Sequence, residues 1–202
     1  MTTFLCRFED RPCSEPVTAE LDKLRGSNIL LFKPTDLETK LKAADLSVGS
    51  VTVISHLPDT IEVALSRRQT EISLATATSS AQILIDARDV AFSINTQLQS
   101  LPQIISPTVA AIRIGDTVQA PELLAAINLV RSLRDHFVSF GHITATAQIL
   151  TVHLNDRQTA LFDPAGNPQL TVPSLQRILR EATIDPQPKE IDLRFDKPVI
   201  RF

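Results

Sequence analysis

Few side chains in this 202-residue sequence could carry acid–base or nucleophilic chemistry, and their spacing limits what they can be. The histidines are His56, His136, His142 and His153. Imidazole is the side chain best suited to moving protons or holding a transition metal near neutral pH. His136 and His142 fall near one predicted helix end, where a cationic ring suits the negative pole. His56 ends a predicted hairpin strand and His153 lies in an alternating one, so all four read as surface or rim residues. Asp86 and Asp89 flank Arg88 in IDARD, which could hold a cation or orient a base. In a strand-to-strand connection the turn-forming habit of Asp is the stronger expectation. Asp192 and Asp196 bracket Arg194 in the same way and read as surface charges on a hairpin. The five glycines form neither G-x-G-x-x-G nor a P-loop, and there is no H-E-x-x-H and no G-x-S-x-G. A Ser-His-Asp triad is a spatial arrangement that sequence order does not reveal. The expectation is a protein that is not an enzyme, with no cofactor and no bound metal.

The two cysteines, Cys6 and Cys13, sit close together. In a reducing compartment they are inert thiols. In an oxidising one, a disulfide closing so small a loop contributes roughly 2–3 kcal/mol. No second ligand pair accompanies them, so the spacing is not a zinc pattern.

Bulk composition excludes several partners. With 43% apolar and 21% charged residues the chain can bury a core. The net charge is −3 and the twenty Lys and Arg are scattered, so no basic stripe marks a phosphate backbone. Nine Phe with no Trp or Tyr offer little for stacking bases. Nucleic acid is not an expected partner. No apolar run approaches the ~18–20 residues of a membrane span, and MTTFLCRFEDRPC is too short and too charged for a signal peptide.

The elements that must position these residues follow from hydrophobic periodicity. TFLCRFE, residues 3–9, predicts a strand. Ser14 is the expected N-cap of a helix with Pro16 in its first turn, Val17, Leu21 and Leu24 on one face, and Gly26 at its end. NILLF, residues 28–32, predicts a buried extended connector. A second helix follows, with a capping box from Thr35 to Glu38 and a stripe of Leu37, Leu41 and Ala44. SVTVISHLPDTIEVALSRR then alternates on both sides of Leu57-Pro58-Asp59, the pattern of a hairpin. The first part therefore reads β-α-α-β-β.

From Glu71 the texture changes to short strands: EISLATA, AQILIDA, DVAFSI, LPQIIS and AAIRIGDTV. One long helix interrupts, with Pro121 in its first turn and Leu123, Ile127, Val130 and Leu133 on one face up to about Phe137. TATAQILTVHLN and RQTALFD predict two strands around Asn155-Asp156. Asp163-Pro164-Ala165-Gly166-Asn167 is a turn. A last helix over about Pro173–Ala182 turns Leu175, Ile178, Leu179 and Ala182 inward. IDLRF and VIRF close the chain as strands. The fold class is α+β, with a first domain over 1–70 and a β-rich second domain with two helices over 71–202.

On these residues the chain resembles the extracytoplasmic part of FtsQ/DivIB cell-division proteins. SVTVISHLPDTIEVALSRR is similar to the hairpin of a POTRA domain, and LRGSNILLFKPTDLETKL to the end of its first helix and its second helix. VHLNDRQTALFDPAGNP, a following helix and IDLRF resemble the β-domain. The resemblance spans roughly residues 14–202. It departs from the family in its two cysteines at the first strand and in a closing strand without Tyr or Trp.

The resemblance implies a scaffold in the divisome, on the outer side of the bacterial cell membrane. The full-length protein would be held there by an N-terminal helix that these residues do not include. Its implied partners are FtsB/DivIC-like and FtsL-like proteins, with a partner strand adding to the closing strand. Carried over by position, Arg194 and Phe195 supply a charge for an acidic partner and an apolar anchor. Val199, Ile200, Arg201 and Phe202 form the pairing edge. Arg177 and Arg180 on the preceding helix extend a basic rim. An edge strand offers unpaired N–H and C=O groups, so main-chain bonds give affinity and alternate side chains give specificity. Lys197-Pro198 discourages promiscuous pairing, because Pro lacks a ladder donor and Lys blunts an edge. Against this stands the plainer expectation that Phe195, Ile200 and Phe202 pack inward and the edge is idle.

Three other readings compete. A POTRA-bearing accessory of outer-membrane insertion or secretion would show repeated units or a barrel. A cell-wall hydrolase would need a deep polar pocket with a perturbed acid or nucleophile. A small-ligand module would need an enclosed apolar pocket.

Overall fold

The structure is a computed structural model that describes residues 3–26, 33–56, 58–96, 101–181, 188–195 and 197–202. The chain divides into two compact units, Met1–Gln69 and Thr70–Phe202. Each contains a mixed sheet with helices, so the fold is α+β. No helix among the described residues is long and apolar enough to cross a membrane.

In the first unit β1 (Thr3–Phe8) and β2 (Arg11–Pro12) precede α1 (Glu15–Asp22) and α2 (Pro34–Ala44), and the hairpin β3 (Val48–His56) and β4 (Thr60–Arg67) follows. The sheet order is β2-β1-β4-β3, with β1 parallel to β4 and β3 antiparallel to it. Alternation drives this arrangement. Ile61, Val63 and Leu65 point to one face of β4 and are buried against Val17 and Leu21 of α1 and Leu37 and Leu41 of α2. Gly49 sits at a register shift in β3. A Cβ there would come within 2.8 Å of the Arg67 carbonyl oxygen, so only glycine fits.

Two caps differ from expectation. Ser14 occupies the N-cap position of α1, but its hydroxyl donates to the Asp45 carboxylate at 2.6 Å instead of capping the helix. Asp45 ends α2 and also accepts from the Ser47 N–H and hydroxyl. The hydroxyl proton is directed at a charged acceptor, a stronger bond than one to a neutral group. In α2 the cap is Lys33 and Thr35 lies inside the first turn, so the capping box does not form. Pro34 explains the earlier start, since its fixed φ and missing N–H suit the first helical position. The predicted NILLF connector lies outside the described residues, as do Ala182 and Asp196.

The second unit is built on β5 (Ile72–Ala75), β6 (Gln82–Ile85), β7 (Ala91–Asn95), β8 (Gln103–Ile105), α3 (Pro121–Asp135), β9 (His142–Ala145), β10 (Leu150–Asn155), β11 (Gln158–Phe162), α4 (Pro168–Glu181), β12 (Glu190–Asp192) and β13 (Val199–Arg201). They form a nine-stranded sheet in the order β13-β12-β11-β10-β9-β8-β5-β6-β7. The connections from β8 to β9 and from β11 to β12 join parallel neighbours, and each carries a helix. Parallel neighbours cannot be joined by a tight turn, so a crossover is required.

Directly opposed residues form rows across this sheet. One apolar row runs from Ile94 on β7 through Leu74, Ile104, Ile143, Val152 and Ile191 to Ile200 on β13. Its interior members join Leu123, Val130 and Leu133 of α3 and Val172 and Leu175 of α4 in one core. The adjacent row lies on the other face and is polar: Ser73, Gln103, His142, His153, Thr159, Glu190 and Arg201.

Several expected elements change. AAIRIGDTV is not a strand; Pro107–Ala111 forms a 3-10 turn capped by the Ser106 hydroxyl, and Gly115 takes φ 100°. TATAQILTVHLN is two strands, because Thr146 closes a turn on the Ile149 carbonyl and N–H. The last helix begins at Pro168, earlier than Pro173, with the Asn167 side chain accepting from the Gln169 N–H at 3.0 Å. Pro173 is its sixth residue and lacks the N–H that would reach the Gln169 carbonyl, so the helical ladder is one bond short there. Asp86 turns the chain as expected, accepting from the N–H groups of Arg88 and Val90. Asp192 is not a surface charge: it is 1% exposed.

Candidate functional site

β7 and β13 are the two edges of the nine-stranded sheet. At the start of β7 the following chain pairs with the edge as far as Ala91. Gly115 donates to the Ala91 carbonyl at 2.7 Å, Ala91 donates to Asp116 at 2.9 Å, and Val118 donates to Asp89 at 2.8 Å. At the opposite edge β13 ends the sheet, with no strand beyond it among the described residues.

Local sequence explains how β13 reaches that place. After β12 the Asp192 carboxylate accepts from the Arg194 backbone N–H at 3.1 Å, and from its Nε at 2.9 Å and Nη2 at 2.7 Å. This folds the chain away from the β12 direction. The Arg194 guanidinium lies 5.7 Å from the centre of the Phe195 ring, a cation–π contact. Beyond Pro198 the chain returns antiparallel, with Asp192 opposite Val199, Ile191 opposite Ile200 and Glu190 opposite Arg201. Lys189 donates its N–H to the Arg201 carbonyl at 2.8 Å.

The apolar side chains of this segment are exposed. Phe195 is 61% exposed, Phe202 54%, Val199 43% and Ile200 40%. Ile200 terminates the apolar row whose inner neighbour Ile191 is fully buried. Among the described residues no strand continues the row, and its other end, Ile94 on β7, is also exposed.

Both arginines of the segment are engaged within the chain. Arg194 holds Asp192, and Arg201 pairs with Glu190 at 2.5 Å. Arg194's hydrogen bonds hold the Asp192 carboxyl below the usual carboxylate range, against the upward push of its burial. The edge thus offers main-chain groups and apolar side chains first, and charge second. Arg177 and Arg180 lie exposed on the last turns of α4, and Arg177 pairs with Glu181 at 2.8 Å.

Beside the closing segment is a groove of about 370 Å³. Leu129, Leu150, Phe162 and Leu193 contribute to its walls, and Phe195, Pro198 and Leu170 also line it. Leu170 is 73% exposed. It escaped the sequence reading because the helix was expected to start three residues after it.

The remaining candidates are dispersed. Cys6 and Cys13 are joined by a disulfide with Cα atoms 5.8 Å apart. His56 bonds Glu62 at 3.1 Å, and His136 Nδ1 lies 2.8 Å from the Ser132 carbonyl at the end of α3. His142 and His153 stack across β9 and β10 with ring centroids 4.1 Å apart. Burial, with the neighbouring His153, lowers the proton affinity of His142. One cluster has no sequence signal because its members are distant in the chain. Arg131 binds Glu71 at 2.9 Å and Asp89 at 2.8 Å. Comparison with family models and with curated proteins finds no match for this chain.

Proposed function

We propose that this chain is the extracytoplasmic part of a non-enzymatic cell-division scaffold of the FtsQ/DivIB type. It takes up a strand of an FtsB/DivIC-like partner, itself paired with an FtsL-like protein, on the outer edge of β13. In the full-length protein an N-terminal helix holds it at the bacterial cell membrane. The observation that carries this reading is the apolar closing edge: among the described residues β13 ends the sheet, with Val199, Ile200 and Phe202 exposed. An exposed apolar edge is an aggregation hazard unless a partner occupies it. The first unit supports the reading coarsely: its order is β-β-α-α-β-β, the expected β-α-α-β-β with the two-residue β2 added, and its first strand pairs in parallel with the second strand of the hairpin.

The test is a calorimetric titration of the protein with the extracytoplasmic segment of an FtsB/DivIC-like protein from the same genome. Ile200→Asp and a deletion of residues 199–202 are run beside the wild type. Loss of binding in both, with unchanged circular dichroism, is the expected result. Undiminished binding in both moves the contact off β13, and absence of binding by the wild type removes the scaffold reading. Arg194→Glu is a poor probe, because it would place a second carboxylate beside buried Asp192.

A further inference from the structure

The centre of the nine-stranded sheet carries a pair of imidazoles that the proposed scaffold role does not use. β9 is the middle strand, with four strands on either side, and β10 is its neighbour. His142 on β9 and His153 on β10 are directly opposed in the antiparallel ladder. Their rings lie face to face, with centroids 4.1 Å apart and planes 15° from parallel, and both residues are half-buried. Ile143 and Val152, the next opposed pair, belong to the core beneath the helices, so the imidazoles occupy the other face.

We infer that this stack is a pH-sensitive clasp on the β9–β10 pairing, which holds while at most one ring is charged and is opposed from within when both are protonated. Two like charges this close repel, and half-buried rings are only partly screened by water. The strands set the spacing, because the pairs Ile143–Val152 and Thr144–Thr151 fix the register beside them. The rings can separate only by turning away from each other or by loosening the ladder. His153 Nε2 lies 3.3 Å from the Thr144 hydroxyl, which can accept a bond from a protonated His153 ring.

Nothing adjacent in the sheet neutralises a second charge. The neighbours of the rings on this face are Gln103, Thr144, Thr151 and Thr159, none of them a carboxylate. Farther along these two rows stand Glu190 and Asp192 on β12, and each is already paired, with Arg201 and Arg194 respectively. Burial, and after it the adjacent His153, lowers the proton affinity of His142. An unfolded histidine titrates near the ordinary value of about 6.5, so the unfolded chain takes up this proton first as pH falls. The stability from a neutral His142 is therefore complete above that value and is lost as pH drops toward the lower native one. Loss of the Asp192–Arg194 pair belongs to a more acid range, so the two effects are separable.

The experiment is a proton NMR titration of the ring resonances of the 202-residue protein from about pH 8 to pH 4, beside His142→Gln and His153→Gln. In the wild type the His142 midpoint should lie below its ordinary value, and in His153→Gln it should move up. An unchanged His142 midpoint in that variant overturns the clasp. A second measurement is urea unfolding at about pH 7 and pH 5. Between the two, the unfolding constant of the wild type should rise by at least about threefold more than that of His142→Gln. An equal rise in both proteins also overturns the proposal, because it assigns the acid sensitivity to groups elsewhere.

Discussion

Arg194 grips the buried carboxylate of Asp192, two residues back along the chain, through Nε at 2.9 Å and Nη2 at 2.7 Å. This pair makes the turn between the last two strands, and it makes the closing edge sensitive to acid. The native carboxyl has a lower pKa than the ordinary value of about 3.9 for an unfolded Asp. The unfolded chain therefore takes up the proton first as pH falls. The pair's contribution is complete above about pH 4 and is lost as pH drops through the native pKa. Asp192→Asn should lower the melting temperature at pH 7 and flatten the acid limb of a melting-temperature profile below about pH 4. An unchanged acid limb would assign that sensitivity to other carboxylates.

The cluster of Arg131 with Glu71 and Asp89 ties α3 to the start of β5 and to the turn before β7. Arg131→Met retains the side-chain stem and leaves two carboxylates without their shared partner. Because Arg131 is 29% exposed, water offsets only part of that loss. The expected cost is about 1.5–3 kcal/mol in urea unfolding. A cost below about 0.5 kcal/mol would place this cluster with ordinary surface ion pairs.

The Cys6–Cys13 disulfide spans seven positions. Closing a loop of that size restricts the unfolded chain by about 2.5 kcal/mol. Denaturant titrations of the oxidised and reduced protein should differ by that amount. A smaller difference would mean that the reduced chain keeps the β1–β2 turn in its unfolded state.

Phe137 lies just beyond α3 with φ 55° and is 91% exposed. Its N–H donates to the Arg134 carbonyl at 3.0 Å, while Val138 donates to Leu133 at 2.9 Å, the pattern that glycine most often completes. Phe137→Gly should stabilise the protein by about 1 kcal/mol, because the left-handed conformation costs a bulky residue that much. Thermal denaturation would detect a gain of a few degrees. A loss instead would show that the ring makes a stabilising contact.

Local chemistry carried much of the fold into the sequence. Leu123, Ile127, Val130 and Leu133 lie on the same helical face, and the structure buries that face against the sheet. The alternation of Ile61, Val63 and Leu65 equally marked the inner face of a hairpin strand. Errors arose where a short apolar run had no periodicity of its own. AAIRIGDTV resembles a strand until Ser106 caps a 3-10 turn over Pro107 and Gly115 takes a positive φ. The apolar stripe from Leu175 places the last helix from about Pro173, whereas Asn167 and Pro168 supply an earlier cap and start.

The closing segment divides the two levels most clearly. The alternation along Ile191–Phe202 and the turn signal of Asp-Lys-Pro are legible in the residues, because strand propensity and turn chemistry are local. That β13 ends the sheet among the described residues, that residues 115–118 pair at the start of β7, and that Asp192 is buried with Arg194 follow from how the strands assemble. The stacking of His142 on His153 and the meeting of Arg131 with Glu71 and Asp89 also depend on how strands are ordered and registered. Strand order is set by the summed burial of rows that cross the whole sheet, and no single stretch of chain contains that sum.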